Sequence, residues 1–299
     1  MTGMIGKLSD WLRLSAALLL LLLNTILHVL PLLLMALLKL LIPLPVVRRV
    51  LNHALIVTAE SWIGVNSMAL DVLTKTHIEV AGLPEVDRNG HYLVLCNHQS
   101  WVDIPVLQKL FNRRLPFMRF FLKQQLIWVP LLGLAWWALD FPFMRRHSKQ
   151  LLAKQPQLAG RDLEATRRAC KKFRDIPVSI MNFVEGTRFT ASKHDRQQSP
   201  YLHLLKPRSG GTALVLDALG DCIDTVVDVT MVYPHRRPGF LQYLANGVPE
   251  IRVHIRLLQV PDDLRGGDYQ GNAEFRQRFQ DWLNRLWQEK EQRMQKMIE

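Results

Sequence analysis

The sequence predicts an α/β fold: a single catalytic domain with a mixed central sheet flanked by helices, preceded by an N-terminal membrane helix. Three observations carry this. Short apolar runs rich in Val, Ile and Leu recur from residue 76 to residue 257, at lengths suited to buried strands. Segments of helical period fall between and after them. A leucine-dominated stretch at residues 16–42 stands ahead of them all.

Residues 1–45 are read as the anchor. The 27 positions from 16 to 42 are interrupted by Asn24, Thr25, His28, Pro31 and Lys39. As a helix they would extend about 40 Å, more than a hydrocarbon core of about 30 Å. A signal peptide is the competing reading, but the apolar region is too long and no small-residue cleavage site follows it. Pro31 allows a kinked, tilted span or a re-entrant wedge returning to the same face. Lys7 and Arg13 precede the stretch and Arg48 and Arg49 follow it, so the positive-inside rule leaves the orientation open. Residues 46–75 read as a helical linker with Gly64 as a possible break, and 76–299 as the catalytic domain.

Strands are expected at 76–80, 92–96, 116–121, 139–144, 178–184, 225–233 and 251–257, and helices at 103–110, 158–174, 210–219 and 270–297. Strict alternation in Ile251-Arg252-Val253-His254-Ile255-Arg256 suggests a sheet with one face exposed. Residues 126–143 are apolar and carry Trp128, Trp136 and Trp137; they suit a lipid interface or an ordinary core element equally. In the last helix Phe275, Phe279, Trp282, Leu286 and Met294 recur at helical spacing and read as packing residues. Arg113, Arg114 and Arg119 form a basic cluster that could meet head groups or simply face solvent. Residues 191–200 are polar and irregular, and read as a mobile loop.

A formal net charge of +12 over 299 residues favours anionic partners, either nucleic acid or an anionic membrane. No helix-turn-helix, zinc-finger spacing or aromatic RNA-binding signature is present, so the membrane reading leads and no nucleic-acid partner is expected. Cys96, Cys170 and Cys222 are widely spaced, which points to inert or reduced thiols. The scattered histidines lack ligand spacing, so neither a metal nor a resident cofactor is expected.

The chemistry concentrates in two segments. In Asn97-His98-Gln99-Ser100-Trp101-Val102-Asp103, an imidazole and a carboxylate follow the apolar run 92–96. His98 therefore emerges at a strand's end, where α/β proteins commonly build sites. If a turn and a helix start follow, Asp103 folds back onto one ring nitrogen and leaves the other as an acceptor. That is the geometry of a general base, able to deprotonate a substrate hydroxyl without a Ser or Cys nucleophile. In Phe183-Val184-Glu185-Gly186-Thr187-Arg188, a carboxylate, a glycine turn, a hydroxyl and a guanidinium suit a phosphorylated head group. A surface turn closed by a Glu–Arg ion pair is the bland alternative.

Together these segments resemble the 1-acylglycerol-3-phosphate acyltransferase family. Asn97-His98 to Asp103 looks like its His-x4-Asp block, and Phe143-Met144-Arg145-Arg146 resembles its second block. Phe183 to Arg188 is similar to its Phe-x-Glu-Gly-Thr-Arg block, and residues 225–234 sit where its fourth, apolar block belongs. That block has Asp228 where the common form carries proline, a departure resembling the lysocardiolipin acyltransferase-like branch. The likeness covers roughly residues 76–295.

The resemblance implies a membrane-bound O-acyltransferase moving a fatty acyl group from an acyl thioester to a lysophospholipid hydroxyl. The acceptor implied is 1-acylglycerol-3-phosphate, giving phosphatidate, with lysocardiolipin or another lysophospholipid as the alternative. His98 and Asp103 would be catalytic; Arg145, Arg146, Glu185, Gly186, Thr187 and Arg188 would bind substrate. Acyl-CoA or acyl carrier protein would deliver the acyl group, membrane phospholipids would be neighbours, and the expected place is a bacterial inner membrane with the domain on its cytoplasmic side. A lipid hydrolase and a non-catalytic membrane scaffold are the competing classes. The first lacks a Gly-x-Ser-x-Gly elbow, and the second predicts decay of motifs that are intact.

Overall fold

The computed structural model describes residues 2–83, 85–144, 164, 172–174, 176–269 and 271–299. Two helices open the chain, α1 (Thr2–Leu41) and α2 (Pro45–Leu73), running antiparallel. Pro31 lies inside α1 without ending it, and the chain turns back only at 42–44. Gly64 likewise does not break α2, because helical neighbours carry the backbone through it. Asn24, Thr25 and His28 of the apolar stretch face α2, whereas Lys39 pairs with Asp140 at 3.1 Å. Asn24 Nδ2 donates to Trp62 O at 3.0 Å and to Asn66 Oδ1 at 2.8 Å. Trp62 Nε1 donates to Thr25 Oγ1 at 3.2 Å, and His28 Nε2 meets Ser61 Oγ at 3.1 Å. The opposite side of α1 leaves Leu23, Leu27, Leu30 and Leu34 exposed. Residues 11–41 of this helix are long and apolar enough to cross a membrane.

A six-stranded sheet forms the centre, in the order β1 (His77–Ala81), β8 (Glu250–Gln259), β7 (Thr225–Val232), β2 (His91–Cys96), β6 (Val178–Phe183), β3 (Met118–Phe120). Among the described residues of this sheet only β7 and β8 pair antiparallel, so the sheet is mixed. The central strand β2 is buried on both faces, which is why its sequence is continuously apolar. Val94 and Cys96 belong to one core with Val227, Val229 and Ile255, under α2 and α3 (Asp103–Phe111). Leu93 and Leu95 belong to the other, against α6 (Ser209–Leu219) and α8 (Ala273–Ile298). Phe275, Phe279, Trp282, Leu286 and Met294 are all buried there, as their spacing predicts. α4 (Leu132–Ala138) and α7 (Phe240–Leu244) pack into the first core through Ala135, Ala138, Tyr243 and Leu244, and α5 (Ala191–Gln197) buries no residue.

Four expectations need correction. The strand expected at 116–121 is only the three residues of β3, and β4 (Leu122–Lys123) follows it to join a separate ribbon with β5 (Phe143–Met144). Of the strand expected at 139–144 only β5 forms, because Asp140 adopts a positive φ of 59° and turns the chain. Residues 191–197 are helical rather than loop: Thr190 accepts a hydrogen bond from Lys193 N and caps them. Arg119 is buried, its Nε donating to Leu139 O at 2.9 Å, so it cannot join Arg113 and Arg114 at a head group. In the tryptophan segment Trp128 and Trp137 are exposed, whereas Trp136 packs against the core. Glu164 and residues 172–174 apart, the helix expected at 158–174 lies outside the described residues, as do Cys170, Arg145 and Arg146.

Candidate active site

Strand β2 ends at Cys96, and the next side chain fixes the exit. Asn97 Nδ2 donates to Met231 O at 2.8 Å while Met231 N donates to Asn97 Oδ1 at 2.9 Å. This pair extends the β2–β7 ladder by one side chain and sets the direction in which His98 leaves the sheet. Cys96 itself is core: burial pushes its thiol well above the ordinary value, so it is no nucleophile.

The turn to α3 brings Asp103 back onto the ring. His98 Nδ1 lies 2.8 Å from Asp103 Oδ2. The same oxygen accepts Gln99 N at 2.7 Å and Ser100 N at 3.0 Å, and Oδ1 accepts the Tyr233 hydroxyl at 2.6 Å. Asp103 is fully buried in the first turn of α3, where the helix dipole favours its charge. Accepting at Oδ2 fixes the imidazole as the Nδ1–H tautomer. Nε2 is then a lone-pair acceptor, and it has no protein partner among the described residues. The ring is held flat on Phe183, centroids 3.9 Å apart and planes 13° from parallel. Ser100 is committed elsewhere: its Oγ donates to Pro238 O at 2.6 Å and accepts Val102 N at 3.0 Å.

The second segment leaves β6 beside His98. Phe189 N donates to His98 O at 2.8 Å, which fastens the two segments together. Gly186 takes φ +68°, and Gly186 N donates to Phe183 O at 2.8 Å to close the turn. Glu185 points inward and is fully buried. It accepts from His98 N at 3.4 Å and from Leu205 N, and burial pushes its carboxyl well above the usual range. It therefore holds the His98 peptide and forms no ion pair with Arg188. Thr187 and Arg188 face outward. The Arg188 guanidinium lies 4.3 Å over the Trp101 ring, and Lys193 Nζ donates to Thr187 Oγ1 at 2.8 Å.

Trp101 also belongs to a groove of about 510 Å³ between α1, α2 and α3, whose apolar lining includes Leu21, Ile63, Leu70, Ile104 and Phe240. One indole thus stands between an apolar channel and a guanidinium. Sequence reasoning placed His98, Asp103, Thr187 and Arg188, and these converge. It did not single out Tyr233, Asn97 or Lys193, whose contacts depend on tertiary structure.

The Acyltransferase family model matches residues 77–234. The chain belongs to the acyltransferase family. Among its relatives, lysocardiolipin acyltransferase 1 of Danio rerio is 30% identical over 138 residues, covering 41% of this chain and 32% of that protein. A probable 1-acyl-sn-glycerol-3-phosphate acyltransferase 5 of Arabidopsis thaliana is 28% identical over 216 residues, covering 68% of this chain and 55% of that protein. The matches thus span between a third and about half of those relatives' own length. The fold is that of a 1-acyl-sn-glycerophosphate acyltransferase, PlsC, from Thermotoga maritima, with TM-score 0.52 and 16% identity over 91% of this chain and 94% of that one.

Within this acyltransferase fold the departure at Asp228 has a structural account. Its side chain points away from the imidazole face and pairs with the buried Lys290 of α8 and with Arg256 Nε at 2.8 Å. Against the opposing effect of burial, Lys290 and Arg256 hold its carboxyl below the ordinary value. Asp228 thus ties β7 to β8 and α8.

Proposed function

We propose that this chain transfers a fatty acyl group from an acyl thioester to the free hydroxyl of 1-acylglycerol-3-phosphate, forming phosphatidate. The carrying observation is the His98–Asp103 pair, oriented, buried and free at Nε2 among the described residues, with Trp101, between the two in sequence, joining an apolar groove to Arg188. Nε2 takes the proton of the acceptor hydroxyl as its oxygen attacks the thioester carbonyl carbon. The C–S bond breaks, and the imidazolium returns the proton to the departing thiolate. Asp103 stabilises the imidazolium between those steps and stays ionised.

The apolar groove suits an acyl chain, and Arg188 offers a planar fork to a phosphate. Arg145 and Arg146 are assigned to acceptor binding on the family pattern alone. Acyl-CoA or acyl carrier protein is the assigned donor. Both substrate and product live in a bilayer, and the exposed leucine face of α1 supports insertion there. The assigned place is the cytoplasmic face of a bacterial inner membrane. Lysocardiolipin is the second reading for the acceptor; it is favoured by Asp228 and by the zebrafish relative's name.

The deciding experiment offers the purified protein in detergent micelles an acyl-CoA, an acyl carrier protein thioester, and either lysophosphatidate or lysocardiolipin. Formation of phosphatidate supports the proposal. Acylation of lysocardiolipin alone would replace the acceptor, and thioester hydrolysis without transfer would replace the reaction.

A further inference from the structure

We infer that Lys193 is part of the acceptor-phosphate site, adding a charge to it and orienting the Thr187 hydroxyl as a donor. This rests on the reading of the acceptor as a lysophospholipid phosphate. Lys193 stands in the first turn of α5, and its own N–H is used by the Thr190 cap. Its side chain reaches back over the glycine turn. There Nζ donates to Thr187 Oγ1 at 2.8 Å and to Arg188 O at 2.9 Å. An ammonium has three donors, so one remains for a ligand.

The consequence for Thr187 is specific. A hydroxyl that accepts from an ammonium has its proton directed elsewhere, so Thr187 presents an O–H to whatever sits beside Arg188. Charge points the same way. Lys123, Arg188 and Arg196 all bear on the Lys193 ammonium, which partial burial and these like charges hold below the ordinary lysine value. Among the described residues none of the four forms an ion pair with a carboxylate. The acid that bears on Lys193, Glu185, is sealed inward on the His98 peptide. Like charges gathered without a counter-ion are costly in a folded protein, and an anion relieves that cost. A phosphate monoester, with its acceptor oxygens and double charge, is the ligand class that fits.

The test uses full-length enzyme in mixed micelles, with lysophosphatidate as acceptor and acyl-CoA as donor, or the carrier-protein thioester if the wild type requires it. Lys193→Gln is expected to raise the acceptor KM about tenfold, the scale of a charge-assisted hydrogen bond, with kcat within about twofold and the donor KM unchanged. Lys193→Arg should recover most of the loss. Thr187→Val should weaken acceptor binding by a similar factor, and the double variant should be no worse than the poorer single one, because the two residues act as a unit. An unchanged acceptor KM in Lys193→Gln, with wild-type activity intact, would overturn the role of Lys193 alone. So would equal falls in kcat for the Gln and Arg variants, which would mark a structural lysine. Failure of the wild type to acylate lysophosphatidate would bring down the functional reading itself.

Discussion

The two halves of the site are built on opposite terms. At the base, Asp103 is fully buried and receives His98, Gln99, Ser100 and Tyr233. At the proposed acceptor side, Arg188 rests on an exposed indole, and the cations around it have no carboxylate partner among the described residues. The first half has its partners within the protein; the second keeps its donors for the proposed phosphate. A proton acceptor depends on a fixed tautomer and a fixed direction, so its partners are internal. An anion site filled by its own carboxylates would have nothing left to bind with.

The largest test of that contrast is His98→Ala. Turnover should fall by roughly two orders of magnitude or more, the usual scale of general base catalysis, while the protein stays folded. Near wild-type transfer by the folded variant would remove the base from the comparison. Arg188→Lys keeps the charge but loses the planar fork. Its acceptor KM should rise about tenfold with the donor KM unchanged; a rise confined to the donor constant would move Arg188 to the other substrate.

Tyr233→Phe sharpens the first half. It removes one of several donors to Asp103, so kcat should drop about threefold to tenfold with little change in either KM. No change in kcat would show that the backbone donors alone hold the carboxylate. The smallest effect concerns Glu185, which belongs to the second segment in sequence and to the first half in behaviour. Its folded-state value lies well above the ordinary 4.5, so the folded chain keeps a proton that the unfolded chain sheds. Stability therefore falls as pH climbs from about 4.5 towards the folded value. Glu185→Gln removes that slope, so its melting temperature should gain on wild type between about pH 5 and about pH 8. A constant difference across that range would mean that Glu185 ionises freely in the fold.

Much of this was legible from residues alone. Apolar runs marked most of the strands of the sheet, since a strand buried on both faces must be apolar throughout. His98 and Asp103 were legible because their partnership is local, a turn and the start of a helix. What stayed hidden joins distant segments. Tyr233 reads as one more strand residue until β7 sets it beside Asp103, and Lys193 reads as part of a polar loop until Thr190 caps a helix under it. Glu185 reads as a substrate-binding group because its short motif carries no sign of inward or outward. Arg119 was hidden for the same reason, and Asp140 broke a predicted strand through a backbone angle that composition does not encode.

The seam of Asn24, Thr25 and His28 against Ser61, Trp62 and Asn66 also bears on how the chain is made. Synthesis delivers α1 before α2, so for an interval Asn24 lacks its α2 partners while Thr25 and His28 keep only their bonds to Leu21 O and Asn24 O, and lipid offers no others. Leaving an amide unpaired in hydrocarbon costs several kcal/mol, which favours holding α1 outside the bilayer core until α2 follows. The seam then closes as α2 packs on α1, whose residues 11–41 are long and apolar enough to cross a membrane. Cutting the seam, by Asn66→Leu for example, should act first on the yield of inserted protein and only afterwards on the catalytic constants of whatever has been inserted.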